Sequence, residues 1–150
     1  MSTDSFSKVQ LEMFFDHSPE KLFDAWLDPE NLSAWLFASD KEILSIELDD
    51  QVGGSFCFSV RRNGQKVDHV GKYLKIDRAK VLSFTWEVPL YSKISSTVTI
   101  NFERAQTQTK LTLVHEHVLA EYLEQTKKGW TKILNELDSH LALNKKPYKA

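Results

Sequence analysis

Hydrophobic positions near the end of the chain recur at steps of three and four. This spacing predicts an α-helix from Glu121 to about Leu143, with its apolar residues on one face and charged and amide residues on the other. An apolar face of that length must be buried against one large surface elsewhere in the protein. Most of the preceding chain is predicted to be strand, so we expect a sheet there. The apolar face comprises Leu123, Thr126, Trp130, Ile133, Leu134, Leu137 and Leu141.

The hydrophobic period is two in most of the chain before this helix. Alternation of apolar and polar residues predicts one strand near the start and six more in the central part. Gly53-Gly54 and Asn63-Gly64 are turn signals, and the other predicted strands are also joined by short loops. We therefore expect an antiparallel meander. The predicted strands cover residues 6–15, 42–48, 55–61, 67–76, 81–88, 95–103 and 110–117.

Two similar motifs between the first two strands predict short helices. Ser18-Pro19-Glu20 and Asp28-Pro29-Glu30 each combine a capping side chain, a proline at the first helical position and an acid in the first turn. The chain is thus predicted to be an α+β domain in which a curved sheet surrounds the long C-terminal helix. The two short helices are expected to bury Leu22, Phe23, Trp26, Leu27, Leu32, Trp35 and Leu36.

A curved sheet around a helix encloses volume unless large side chains fill it. Gly129 lies within the predicted helix, where we expect it to let the helix backbone approach the sheet closely; the alternative is that the helix simply tolerates a glycine there. Gly71 and Gly129 are both small residues at positions where a larger side chain would take up this space. The arrangement therefore predicts a cavity between the helix and the sheet.

Composition and charge narrow the classes of function. The 150 residues are 41% hydrophobic with a net charge of −2, which suits one domain over 1–150, with flexible tails at 1–5 and 144–150. The interspersed charges provide no basic surface for nucleic acid. No apolar run approaches the roughly 20 residues of a membrane span, and the first residues do not resemble a secretory signal. Cys57 is the single cysteine, so no internal disulfide can form, and we expect a cytosolic protein.

Histidines supply the main candidates for chemistry. Strand alternation places His115 and His117 on one face, where they could begin a zinc site if a third ligand such as His69 lay nearby. The alternative is that one histidine lies in a cavity wall and the other at a strand end, and we predict no metal or other cofactor. His115, His69 and Tyr73 could instead orient a ligand, act as acid and base, or form a structural hydrogen-bond network.

Other reactive groups lack an activating pattern. No basic residue adjoins Cys57 to lower the pKa of its thiol. The sequence contains no nucleophile elbow, no phosphate-binding glycine loop and no carboxylate pair at an obvious catalytic spacing.

Several motifs taken in order resemble a known family. They run from the Ser18–Trp26 segment, through Gly71–Asp77 and Leu82–Trp86, to Gly129-Trp130. Over about Val9 to Leu141 the chain resembles the START-like, or SRPBCC, superfamily, in the branch named after the activator of heat-shock protein 90 ATPase. The resemblance implies the helix-grip fold. Members of this superfamily bind lipids, polyketides, hormones or other apolar molecules, and a few members catalyse cyclisation or hydrolysis. The resemblance therefore implies a function of this kind.

Three functions follow as hypotheses from the pattern and the resemblance together. The first is a binding module for an apolar or amphipathic small molecule between helix and sheet. The second is a small cyclase or hydrolase using His115, His69 or Tyr73. The third is a stress-related, co-chaperone-like adaptor with a protein partner. The predicted ligand-binding residues are Trp35, Phe58, His69, Tyr73, Trp86, Leu113, His115, Thr126 and Trp130.

Overall fold

The computed structural model describes residues 5–143. The seven strands form one antiparallel sheet, in which the second to the seventh strands along the chain lie side by side as the predicted meander and the first lies beside the seventh. A long helix lies against this curved sheet, which makes the predicted α+β helix-grip fold the observed one. The elements are β1 (Phe6–Phe15), α1 (Pro19–Ala25), α2 (Pro29–Trp35), β2 (Glu42–Leu48), β3 (Ser55–Arg62), β4 (Gln65–Asp77), β5 (Val81–Trp86), β6 (Ser96–Ala105), β7 (Gln108–Leu119), a 3₁₀ turn (Ala120–Tyr122) and α3 (Leu123–Leu143).

Both short helices begin at the predicted caps. The Ser18 hydroxyl accepts a hydrogen bond from the backbone N–H of Lys21, and the Asp28 carboxylate accepts one from Glu30. A proline occupies the first helical position in each case, where its missing N–H leaves no bond unmade. These caps fix where the helices start, and the aromatic residues that follow are directed into the core.

One core lies between α3, the short helices and the concave face of the sheet. Alternate residues of the strands point into it, as the period of two predicts. Helix α3 contributes four buried residues at the predicted spacing, namely Trp130, Leu134, Leu137 and Leu141. Helix α1 contributes Leu22 and Phe23, α2 contributes Leu32 and Trp35, and Trp26, Leu36 and Phe37 follow the helix ends. Leu27 is only partly buried.

The expectation for Gly129 was wrong. Gly129 is exposed, and a β-carbon added there would meet no heavy atom within 4 Å, so the residue faces solvent and not the sheet. Gly71 does mark a close approach, but a β-carbon there would overlap the Thr85 carbonyl oxygen and the Phe56 ring. The space beside Gly71 is already filled, and neither glycine enlarges a cavity.

The C-terminal helix starts slightly later than predicted. A 3₁₀ turn occupies Ala120–Tyr122, and the α-helix begins at Leu123 instead of Glu121. The predicted flexible tails, 1–5 and 144–150, lie outside the described residues except for Ser5. The Ser5 carbonyl oxygen accepts a hydrogen bond from the N–H of Ala120, which ties the start of β1 to this turn.

Candidate functional site

Side chains fill the middle of the space between α3 and the sheet. The indole rings of Trp26 and Trp35 meet edge to face with centroids 4.7 Å apart, and Trp26 also lies 6.2 Å from Trp130. What remains is a small space of about 10 Å³, which we call the inner void. Its lining is almost wholly apolar: Trp26, Leu32, Leu36, Phe56, Phe58, Tyr73, Leu82, Phe84, Trp86 and Trp130.

A larger pocket opens to solvent at one end of this core. We call it the mouth pocket; it has a volume of about 690 Å³. Its walls come from the end of β5, the loop over residues 87–95, the start of β6, the end of β7, the 3₁₀ turn and the first turn of α3. The lining residues are Trp86, Val88, Leu90, Tyr91, Ser92, Ile94, Ser96, His115, His117, Val118, Leu119, Tyr122, Gln125 and Thr126.

A hydrogen-bonded chain of buried groups forms one wall of the mouth pocket. The indole N–H of Trp130 donates to Nδ1 of His115 over 2.9 Å. On the other side of the ring, Nε2 of His115 lies 2.7 Å from the Ser96 hydroxyl, which itself donates to the carbonyl oxygen of Trp86 over 2.8 Å. The chain links α3, β7, β6 and β5 across the pocket wall.

The donors in this chain determine the state of the histidine. An indole nitrogen can only donate, so Nδ1 of His115 must be the unprotonated acceptor. The proton of neutral His115 is then on Nε2, which donates to the Ser96 hydroxyl. Burial lowers the pKa of His115 to about 4, consistent with a neutral ring. When all of these hydrogen bonds run in the same direction, each polar group in the series has a partner. The arrangement matches the structural hydrogen-bond network that is one of the alternatives for His115.

His117 is not buried beside His115, although both residues line the mouth pocket. Ser7 of β1 pairs with Val118 of β7, and Val9 pairs with His115. Between these two pairs β1 has one residue, Lys8, whereas β7 has two, Glu116 and His117, so β7 contains a bulge. This bulge gives His117 a φ of 65°, exposes it and stacks its ring on Phe6 with centroids 3.8 Å apart. The strand alternation that predicted both imidazoles on one face is therefore interrupted between them. Within residues 5–143, no group of three or more His, Cys, Asp and Glu side chains is placed to hold a metal ion.

His69 and Tyr73 are buried on β4 but do not join His115. His69 places Nδ1 3.1 Å from the carbonyl oxygen of Phe58, and its ring lies near those of Phe37 and Trp86. Burial lowers the pKa of His69. Burial and the charge of Asp50 raise the pKa of Tyr73. The three groups occupy separate places and do not form one acid–base cluster.

The structure distributes the nine predicted ligand-binding residues over several places. Trp86, His115 and Thr126 line the mouth pocket. Trp86 also lines the inner void, together with Phe58, Tyr73 and Trp130. His69 lines neither space, and Trp35 and Leu113 are fully buried core residues. The sequence analysis did not include the loop over residues 87–95 in the site. The signal was present, because the apolar Leu90 and Tyr91 follow Pro89 in a segment that a proline marks as a loop.

An ion pair anchors that loop. The guanidinium of Arg62 donates to both carboxylate oxygens of Asp40, over 2.6 and 2.9 Å, and also reaches the hydroxyl of Tyr91 at 3.4 Å. The carboxylate beside it raises the pKa of Arg62. Tyr91, at the rim of the mouth pocket, is thereby in contact with Arg62 of β3.

A long helix on a curved antiparallel sheet, with a pocket open at one end, defines a START-like helix-grip protein. Residues 16–142 match the sequence model of the family described as "Activator of Hsp90 ATPase homolog 1-like protein", and the chain belongs to that family. A comparison with curated proteins found no match. No helix within the described part of the chain is both long and apolar enough to cross a membrane.

Solved structures share the fold at low sequence identity. Protein SA2116 from Staphylococcus aureus, described as of unknown function, is 19% identical with a TM-score of 0.84, covering 95% of this chain and 97% of its own. Mll3558 from Rhizobium loti is 18% identical with a TM-score of 0.79, covering 93% and 99%. CV1439 from Chromobacterium violaceum is 22% identical with a TM-score of 0.77, covering 88% and 94%. These similarities establish the fold alone.

Proposed function

We propose that this chain binds an amphipathic small molecule in the mouth pocket. The observation that carries the proposal is the pocket itself: about 690 Å³, open to solvent and lined mainly by apolar side chains. That volume lies within the range of about 300–1,000 Å³ typical of small-molecule sites. The proposal moves the predicted site from the middle of the helix–sheet interface, which is filled, to its open end.

The polar side chains of the pocket are outnumbered by the apolar ones and lie in separate places; they include Ser92 and His117 as well as the four named next. Ser96 and His115 lie on the buried wall, whereas Gln125 and Thr126 lie on the first turn of α3. A few polar groups in an apolar concavity fix the orientation of a ligand while its apolar body supplies most of the binding energy. This distribution favours an amphipathic ligand over a pure hydrocarbon.

The rim of the pocket supports the same proposal. Leu90, Tyr91 and Tyr122 line it and remain 47%, 59% and 42% exposed. Apolar side chains exposed around a concave site commonly mark a ligand or partner surface. A bound apolar molecule would cover part of this area, which supplies free energy for binding.

Two threonines on α3 provide a matched test. Thr126 is half-buried and lines the mouth pocket, whereas Thr131 is exposed on the outer face of the same helix. Intrinsic tryptophan fluorescence, to which Trp86 in the pocket wall contributes, should show saturable changes with at least one class among fatty acids, sterols and aromatic polyketide-like compounds. Thr126→Phe should weaken that binding about tenfold or more, equivalent to about 1.4 kcal/mol. Thr131→Phe should leave it unchanged.

Two outcomes would contradict the proposal. One is saturable binding that Thr126→Phe does not weaken, since the site would then lie elsewhere. The other is no saturable binding by any class, together with native mass spectrometry of freshly purified protein that shows only the mass of the chain. A co-purified molecule would instead supply the mass of the natural ligand.

The proposal contains no catalytic step. Ser96 and His115 are within hydrogen-bond distance, as a nucleophile and its base would be. However, the donor from Trp130 leaves the proton of neutral His115 on Nε2, the nitrogen that faces Ser96. In this tautomer His115 cannot accept the proton of the Ser96 hydroxyl, which favours a binding role over a hydrolase.

A second candidate function is a protein adaptor in the cytosol, in line with the family's name. The filled centre of the domain and the exposed apolar rim favour this alternative. Titration of Hsp90 with this chain while ATP hydrolysis is measured would test it. Stimulation that is lost in Leu90→Asp would favour the adaptor, and the absence of stimulation would favour the small-molecule role.

A further inference from the structure

One of the residues that line the inner void, Trp26, carries a buried donor without an acceptor. Among the buried side-chain nitrogens and oxygens of residues 5–143, only Nε1 of Trp26 has no hydrogen-bond partner. Trp26 is 3% exposed, so solvent does not satisfy its N–H. Buried donors are nearly always paired, because leaving one unpaired forfeits the hydrogen bond it had in water.

The aromatic neighbours of Trp26 offer its N–H no acceptor. Its ring contacts are with Trp35, Phe84 and Trp130. The indole N–H groups of Trp35 and Trp130 are donors and are already used, by the carbonyl oxygen of Ala25 and by His115. Trp35 therefore provides an indole of the same kind, in contact with Trp26, whose own N–H is satisfied.

The inner void and the mouth pocket share one wall. Trp86 lines both spaces, is only partly buried and is the last residue of β5. Its ring packs against those of Phe56, Phe84 and Trp130, so a ligand that reached from one space into the other would displace Trp86 from these contacts. The void of about 10 Å³ matches one water-sized group, so it would admit a single oxygen atom and not a ring.

We propose that the two spaces form one elongated site in which Trp26 Nε1–H recognises a neutral carbonyl oxygen at the inner end of the ligand. This inference rests on the proposed function and specifies the class of ligand. The ligand's apolar body occupies the mouth pocket, and its carbonyl group passes Trp86 to reach the inner void. A ketone, ester or amide fits better than a carboxylate, because the apolar lining offers nothing to offset the charge.

Two compounds of nearly the same shape test the assignment. 2-Acetylnaphthalene carries the carbonyl oxygen, and 2-isopropenylnaphthalene replaces it by a methylene group. Calorimetric titration of the full chain should show the ketone binding about tenfold more tightly than the alkene, since it satisfies the unpaired donor. Trp26→Phe should abolish this preference. Trp35→Phe, which removes an N–H that is already paired, should retain it.

A measurement on the unaltered protein guards against variants that fail to fold. The indole ¹H–¹⁵N signal of Trp26 should move downfield when the ketone is added and not when the alkene is added. Equal affinities for the two compounds, or a preference that survives Trp26→Phe, would overturn the assignment and leave the mouth pocket as the site. If neither compound bound and no member of the lipid and sterol panel bound either, both this assignment and the proposed function would be contradicted.

Discussion

The indole N–H of Trp130 donates to Nδ1 of His115 over 2.9 Å, and both side chains are buried. This contact joins the middle of α3 to β7 and leaves the proton of His115 on the nitrogen that faces Ser96. It places a polar network in the wall between the filled core and the mouth pocket. The stability of the domain should therefore depend on this bond as well as on apolar packing.

Replacing Trp130 separates these two contributions. Trp130→Ala should lower the free energy of unfolding by about 3–5 kcal/mol, the range for truncating a buried aromatic residue. Trp130→Phe retains most of the ring but leaves Nδ1 of His115 without its donor, so we expect a loss of about 1–3 kcal/mol. Chemical denaturation measures both. A loss below about 0.5 kcal/mol in Trp130→Phe would show that the hydrogen bond contributes nothing measurable.

The low pKa of His115 predicts a stability that falls in mild acid. Above pH 6.5 the ring is neutral in both states, but between pH 6.5 and about 4 the unfolded chain binds a proton that the folded chain does not. The free energy of unfolding should therefore fall as pH falls, by about 1.4 kcal/mol per unit and about 3 kcal/mol in total from His115. His69, whose pKa is also lowered, adds to the slope in the same direction.

A pair of matched variants isolates the share of His115. Denaturation of His115→Asn at several pH values between 4 and 7 should give a shallower dependence than the wild type. The same substitution at His69, whose pKa burial also lowers, should remove a separate part of the dependence. An unchanged slope in His115→Asn would mean that His115 is protonated as readily in the folded chain as in the unfolded one.

The two glycines that sequence reasoning grouped together should respond in opposite directions. Gly129→Ala should stabilise the protein by about 0.5–1 kcal/mol, because an alanine in an exposed helix interior restricts the unfolded chain and meets no neighbour. Gly71→Ala should destabilise it by about 1–3 kcal/mol, because the added β-carbon overlaps Phe56 and the backbone of Thr85. Thermal unfolding of the two variants side by side gives the comparison, and a destabilised Gly129→Ala would contradict the placement of that helix face.

Two Arg–Asp pairs with similar geometry should also differ. Asp40 is largely buried beneath Arg62, so Asp40→Ala leaves the guanidinium without its carboxylate. We expect the free energy of unfolding to fall by about 1–3 kcal/mol. The value should lie toward the lower end because Arg62 is partly exposed to solvent. The pair of Asp24 and Arg78 is exposed, and Asp24→Ala should leave the denaturation midpoint unchanged. Equal effects of the two substitutions would show that burial of the Asp40 pair is unimportant.

Local patterns in the sequence determined the elements and their faces. The period of two predicted the strands, the spacing of Trp130, Leu134, Leu137 and Leu141 predicted the buried face of α3, and the Ser18 and Asp28 motifs predicted two helix starts. These features follow from the fixed geometry of strands and helices, in which a residue's neighbours along the chain set the direction of its side chain. The antiparallel order of β2 to β7 was also predicted from the sequence, because short connections join neighbouring strands that run in opposite directions.

Only the tertiary structure decided where the mouth pocket lies. The bulge that leaves His117 exposed, although His115 is buried, exists because β7 pairs with β1, which is distant in sequence, and strand alternation contains no information about it. Likewise, whether the space under α3 is empty depends on Trp26 and Trp35 arriving from the short helices and on the loop that carries Tyr91 staying at the rim. Cavities are the volume left when separate elements pack together, so they are set by contacts between distant residues and not by any local period.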